Sequence, residues 1–269
     1  QIELEQVDRL LHLVLFQDSC AAIWSEPAYQ LPDWADFPAL PDDLNTRKPY
    51  QYLAGKLLYA GIVKAPDCPG GGLLSATAPN SCGMDSAMQA VIDWQNQFDV
   101  AIWDAGRQTG IPPLLIKTLI EQESQFWPAN ARRAQYEYGL GQISQAGADV
   151  VMRYDNDLFY SICNGLLYDC SIAYGRLPTW VQATLRGGLM KVMNSECATC
   201  AQGIDLNHAK ESIPTLARIM RSNCRQVKYI MDTKGLDASY EDMWKLTFVS
   251  YHSGYECVST ALDYLNYND

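Results

Sequence analysis

From Asp85 or Ser86 onward, apolar residues recur at every third or fourth position, and the alternation a strand requires is almost absent. Met88, Val91, Gln95, Phe98, Ile102 and Ala105 form one such stripe, which Gly110 and Pro112 bring to an end. Pro113 suits the first turn of a second helix reaching about Glu123. Further helices are predicted over 145–154, 180–193, 210–231 and 240–252. The last opens on Ser239-Tyr240-Glu241-Asp242, which resembles a capping box with Asp in place of Glu or Gln. The chain is therefore expected to be mainly α.

Residues 1–85 read differently. Val7, Leu10, Leu11, Val14 and Leu15 mark a helix over about Ile2 to Ile23. Five prolines between Glu26 and Pro49 then indicate an ordered loop. A short helix is predicted from Tyr50 to Val63, followed by a turn-rich loop from Asp67 to Cys82. Two regions are expected: a helical, Pro-rich extension over 1–85 and a larger domain over 86–269. The chain opens at Gln1 without a signal-peptide pattern, so any targeting segment is expected to have been removed or to lie outside it.

Nine cysteines point to an oxidising compartment, extracellular or in the cell envelope. Their spacing suggests the pairs Cys68–Cys82, Cys163–Cys170 and Cys197–Cys200. Cys224 would then pair with Cys257 between helices, leaving Cys20 over. A four-thiolate zinc site from Cys163, Cys170, Cys197 and Cys200 is the rival arrangement. Disulfides are preferred, because only one CxxC is present.

A net charge of -11 disfavours nucleic acid, whose phosphates require a basic surface. No uninterrupted apolar run reaches the length of a membrane span.

Ile116, Leu119, Ile120 and Glu123 share one helical face. A carboxylate at the end of that stripe faces apolar neighbours and the negative end of the helix dipole. Both disfavour its ionised form, as a general acid requires. Glu121 points about 160 degrees away and is expected to be solvated. By position alone, Glu123 is better explained as an ordinary helix end reaching water.

Three segments alter that balance. The run Ile111 to Pro128, with Glu123-Ser124-Gln125-Phe126, resembles the first motif of the soluble lytic transglycosylase family. Gly139-Leu140-Gly141-Gln142-Ile143 is similar to its Gly-Leu-Met-Gln segment, and Phe248 to Gly254 is similar to its Ala-Tyr-Asn-Ala-Gly motif. The resemblance covers roughly residues 90–265. It implies a lysozyme-like α fold and cleavage of the β-1,4 bond between N-acetylmuramic acid and N-acetylglucosamine in peptidoglycan glycan strands. Glu123 matches the single catalytic acid and base, and the muramoyl 6-hydroxyl attacks to leave a 1,6-anhydro end. A second carboxylate is then dispensable, and no cofactor is implied.

The sugar-binding set carried over is Ser124, Tyr138, Gln142, Tyr251 and His252. Ser124 matches the serine after the acid, a local hydrogen-bonding residue. Gln142 matches a sugar-binding glutamine, and Tyr251 a tyrosine whose hydroxyl contacts the catalytic carboxylate; its ring also shares a helical face with Trp244 and Phe248.

His252 stands where the family has asparagine, Gly141 where it has methionine, and Tyr255-Glu256 where it has Pro-Gly. His252 is open to a structural role, a sugar contact or titration beside Glu123. The stretch from about 154 to 206 exceeds a compact member and reads as a disulfide-stapled insertion walling the cleft. Its Phe159, Tyr160 and Trp180 are candidates for glycan contact, with core packing the preferred reading for each.

Three other readings remain at this stage, the outside one a zinc-stabilised interaction domain. A hydrolase of the same fold would need a second carboxylate, with Glu137, Asp149 and Asp155 the nearest. A non-catalytic glycan-binding module would keep the fold without turnover.

Overall fold

The computed structural model describes residues 33–129 and 136–267. The helix expected over Ile2–Ile23, and Cys20, lie outside the described residues. What is described is mainly α, with one two-stranded ribbon. The helices are α1 (Gln51–Tyr59), α2 (Ser81–Asn96), α3 (Asp99–Thr109), α4 (Pro113–Ser124) and α5 (Gln145–Tyr154). They continue with α6 (Asn156–Leu166), α7 (Thr179–Met193), α8 (Leu206–Lys234), α9 (Tyr240–Ser253) and α10 (Tyr255–Tyr267). Strands β1 (Leu73–Ser75) and β2 (Ala78–Pro79) pair antiparallel.

Local chemistry sets most of these ends. Asn80, Ser144, Asp155, Asp205 and Ser239 each accept a backbone N–H from the first turn of the helix that follows. Gly110 and Gly235, both left-handed, end α3 and α8. At α9 only half of the expected capping box forms: Asp242 N–H donates to the Ser239 hydroxyl, which donates to the Asp242 carboxylate.

The predicted stripe ending at Ala105 is divided between α2 and α3. Val91, Phe98, Ile102 and Ala105 are nevertheless all fully buried. Gln97 and Phe98 keep near-helical dihedrals, so the stripe holds its direction across the break. α6 and α10 were not expected. The Asp155 cap of α6 is visible in the sequence, but its apolar residues fall within the stretch read as a disulfide-stapled insertion.

One continuous core extends from Leu44 to Leu262. Its axis is the 29-residue α8, which packs against α3, α5, α7, α9 and α10. The segment before α1 is fastened to α2 and α4 by polar side chains. Gln95, fully buried on the apolar stripe, accepts from Thr46 Oγ1 and Lys48 N and donates to Lys48 O. The Lys117 ammonium donates to Leu44 O, Asn96 Oδ1 and Asp99 Oδ1, at 2.6, 2.9 and 2.7 Å. Burial pushes the Lys117 ammonium down and the Asp99 carboxyl up, the expected cost of desolvating both charges. Glu121, expected to be solvated, is held by Lys48 at 2.6 Å with only 15% of its side chain exposed.

Three disulfides form as the spacings suggest: Cys68–Cys82, Cys163–Cys170 and Cys197–Cys200, with Cα separations of 5.6, 6.0 and 5.3 Å. Their sulfurs are paired covalently, so the four-thiolate zinc arrangement does not form. The expected Cys224–Cys257 bond is absent. Cys224 is disulfide-bonded, but Cys257 is a free, exposed thiol on α10. The sulfur of Cys224 is wholly buried within α8, whereas Cys257 faces outward, so their helices do not bring them together. Among the described residues, no helix is long and apolar enough to cross a membrane.

Candidate active site

The site is built where α4 stops. Leu115, Ile116, Leu119 and Ile120 bury the helix face that ends at Glu123. The chain then turns through two left-handed residues, Gln125 (φ 46°) and Phe126 (φ 64°). Each costs on the order of 1 kcal/mol or more without a glycine. Tertiary contacts hold them there. The fully buried Phe126 ring lies 5.6 Å from Tyr50 and 6.2 Å from Phe98, and its carbonyl accepts from Trp94 Nε1 at 2.9 Å. Gln125 Oε1 accepts from Tyr52 N–H at 3.0 Å.

Facing this end is a tight loop. Tyr138 and Ile143 exchange both backbone hydrogen bonds, and Gln142, at φ 47°, is the third non-glycine left-handed residue among those described. Gly139 is left-handed too, and a Cβ there would lie 2.4 Å from Met193 O, so only glycine fits.

Three successive carbonyls of the loop each receive a side chain. Gly139 O accepts from Gln142 Nε2 (2.7 Å), Leu140 O from Ser124 Oγ (2.7 Å) and Gly141 O from Tyr251 Oη (2.7 Å). The donors lie in the loop itself, beside Glu123 on α4, and on α9. Together they tie the three motif segments to one another.

This pattern revises several expected roles. Ser124 is buried and also bonds Ile120 O, so its hydroxyl braces the loop against α4. Gln142 is 5% exposed, and its amide nitrogen is spent on Gly139 O and Ala129 O. Through that nitrogen it braces the loop. The Tyr251 hydroxyl, expected to contact Glu123, donates to Gly141 O. Burial, reinforced by the nearby charges of Glu123 and Glu137, pushes its phenol well above the usual range and keeps it a donor. A Cβ on Gly141 would lie 2.6 Å from that hydroxyl and 2.3 Å from Leu216 Cδ1, which accounts for glycine in place of methionine.

The direct partner of Glu123 is His252, whose Nδ1 lies 3.1 Å from Oε1. The two groups differ sharply in exposure, with 10% of the Glu123 side chain and 60% of the His252 side chain open to solvent. Around them is a hollow of about 390 Å³, open to solvent, lined by Glu123, Glu137, Gln142, Ser144, Tyr251 and His252 among others. Four residues chosen from the sequence thus meet at one place. Glu137 and Ser144 were not chosen as binding residues, although Glu137 was one of three candidate second carboxylates.

The other two carboxylates are engaged elsewhere. Asp149 is bound by Arg186 at 3.1 Å and by the Tyr174 hydroxyl. Asp155 caps α6 and is paired with Arg218 and Arg221 at 2.5 and 3.2 Å. Burial raises the Asp155 carboxyl, but those hydrogen bonds and charges outweigh it and hold it below the usual carboxylate range.

Tyr138 does not reach the Glu123 hollow. With Tyr136 it lines a neighbouring groove whose other wall is α7, through Arg186, Met190, Lys191 and Asn194. The expected insertion thus forms one side of a groove sharing the 136–145 segment with the acid pocket. Phe159 packs in the core as expected, while Trp180 and Tyr160 do not: they are 70% and 46% exposed.

Among the described residues no cluster of His, Cys, Asp and Glu is arranged to hold a metal ion. Compared with protein-family models, curated proteins and solved structures, the chain gives no match.

Proposed function

We propose that this protein is a peptidoglycan lytic transglycosylase of lysozyme-like fold, with Glu123 as its general acid and base. The observation carrying this reading is the meeting of the three motif segments: Ser124 and Tyr251 grip adjacent carbonyls of the Gly139–Gln142 turn, and Glu123 opens into the resulting pocket. A carboxylate at the end of a buried helix face, one-tenth exposed, suits protonation of a glycosidic oxygen. Release of the leaving group would make Glu123 the base that takes the muramoyl 6-hydroxyl proton as that oxygen bonds to C1.

The substrate in this reading is the glycan strand, bound along the acid pocket and the tyrosine-lined groove beside α7. Three disulfides accord with work outside the reducing cytosol, in the periplasm or extracellular space, alone or within a larger secreted protein.

A second reading has a specific observation in its favour. Glu137 lines the same hollow as Glu123, where it would activate water in a hydrolase. Digestion of purified peptidoglycan, with product masses recorded for wild type and Glu123→Gln, tests both. Anhydromuropeptides from wild type alone support the transglycosylase, and reducing ends alone support the hydrolase. Binding without turnover by either form would leave a glycan-binding module.

A further inference from the structure

We propose that the groove beside α7 is a second subsite, in which Lys191 receives the carboxylates of the strand's peptide stems. The inference rests on the glycan-cutting reading and names the part of the substrate that this groove takes. α7 lies in the stretch that exceeds a compact family member, so the resemblance assigns its residues no role.

The groove and the acid pocket share one short stretch of chain. Ser144 lines the acid pocket, and the next residue, Gln145, lines the groove. Tyr138, also in the groove, exchanges backbone hydrogen bonds with Ile143, which lines the acid pocket. Adjacent Cα atoms are only about 3.8 Å apart, so a ligand in one hollow needs little reach to enter the other.

The charges of the two hollows are opposite. Glu123 and Glu137 line the acid pocket, whereas Arg186 and Lys191 line the groove, with no carboxylate among its described lining residues. Arg186 is already balanced: its Nη1 lies 3.1 and 3.2 Å from the two oxygens of Asp149. Lys191, exposed on the last turn of α7, has no ion-pair partner among the described residues. A neutral sugar gains nothing from such a cation, but a carboxylate does.

The rest of the lining suits peptide. Tyr136 and Tyr138 offer ring faces to apolar side chains, and Gln145 and Asn194 offer amides to a peptide backbone. Asn194 Oδ1 accepts from Glu196 N–H at 2.9 Å, which leaves its amide nitrogen to donate. The groove measures about 900 Å³, open to solvent, more than a single carboxylate fills.

Peptidoglycan carries such a ligand at the required place. The stem is attached through the lactyl group at C3 of N-acetylmuramic acid, and C1 of that same ring is where the proposed reaction occurs. A stem therefore projects beside the acid pocket whenever the strand is seated for cutting.

The test titrates the protein with a disaccharide muropeptide carrying its intact stem, and with the same disaccharide after amidase removal of the stem. The second ligand keeps the lactyl carboxylate, so the pair separates recognition of the stem from recognition of the lactyl group. Calorimetry reads both affinities. Wild type is expected to bind the stem-bearing ligand about tenfold more tightly, and added salt should shrink that preference. Lys191→Gln should reduce it about three- to fivefold, the range for one exposed charge, Lys191→Glu should abolish it, and Lys191→Arg should keep it. Equal affinities in wild type, or a preference unchanged in both Lys191→Gln and Lys191→Glu, would overturn the inference.

Digestion of purified peptidoglycan separates this result from the reading beneath it. A Lys191-dependent preference without any cutting keeps the groove and rejects the glycan-cutting activity. Anhydromuropeptides from a wild type that shows no preference keep the activity and overturn the groove.

Discussion

Tyr251 donates its hydroxyl to the carbonyl of Gly141 at 2.7 Å, joining α9 to a loop 110 residues earlier. The resemblance had directed that hydroxyl to Glu123. Redirected, it fixes the loop that forms the wall of the acid pocket and leaves the Glu123 carboxylate to His252. The geometry around Glu123 therefore depends on bonds that never touch it.

Gly141→Ala should reveal that dependence. The added methyl meets Leu216 Cδ1 at 2.3 Å and the Tyr251 hydroxyl at 2.6 Å, so one or both must move. A loss of about 1–3 kcal/mol in urea denaturation is expected from overpacking. The rate on peptidoglycan should fall more than the folded fraction does, because the displaced hydroxyl frees the loop. A variant with wild-type rate and reduced stability would mean that the loop does not set the site.

Glu123→Gln removes the acid and keeps the shape. Turnover should fall by about 10²–10⁴-fold, the usual range for loss of a general acid. Circular dichroism and the melting temperature should stay close to wild type, since the Glu123 side chain makes no described buried ion pair. A variant retaining a tenth of the rate would move the chemistry to another residue.

Asp155 predicts how stability varies with acid. Its folded carboxyl is held below the usual range, so its contribution is whole above about pH 4 and disappears as pH falls through the folded value. Asp155→Asn should cost about 2–4 kcal/mol at pH 7, somewhat less than a fully buried pair because Arg218 stays partly exposed. The gap between the two proteins should close in urea melts at pH 2–3. A gap independent of pH would show that the carboxylate charge adds nothing.

Thiol labelling distinguishes Cys257 from Cys224. Under native, non-reducing conditions iodoacetamide should modify Cys257, which is free and exposed, and leave Cys224 unmodified. Peptide mapping by mass spectrometry reads both positions. A Cys224–Cys257 cross-linked peptide would restore the pairing suggested by spacing.

The sequence by itself determined what depends on neighbouring residues. The stripe Ile116-Leu119-Ile120-Glu123 sets which face of α4 is buried. Ser144, Asp155 and Ser239 start helices where their side chains reach the following N–H groups, and cysteines 3, 7 and 14 residues apart find each other. Ordered motifs also selected Glu123, Gln142, Tyr251 and His252 for one pocket.

Tertiary structure decided which atom met which. Whether Tyr251 bonds Glu123 or Gly141, which of Glu137, Asp149 and Asp155 faces the pocket, and where Cys224 lies relative to Cys257 depend on how α4, α8, α9 and the loop pack. Hydrogen bonds and disulfides act over a few ångströms, whereas helical periodicity fixes a side chain's direction only around its own axis. The sequence could place a carboxylate on a helix face, but only packing could place His252 beside it.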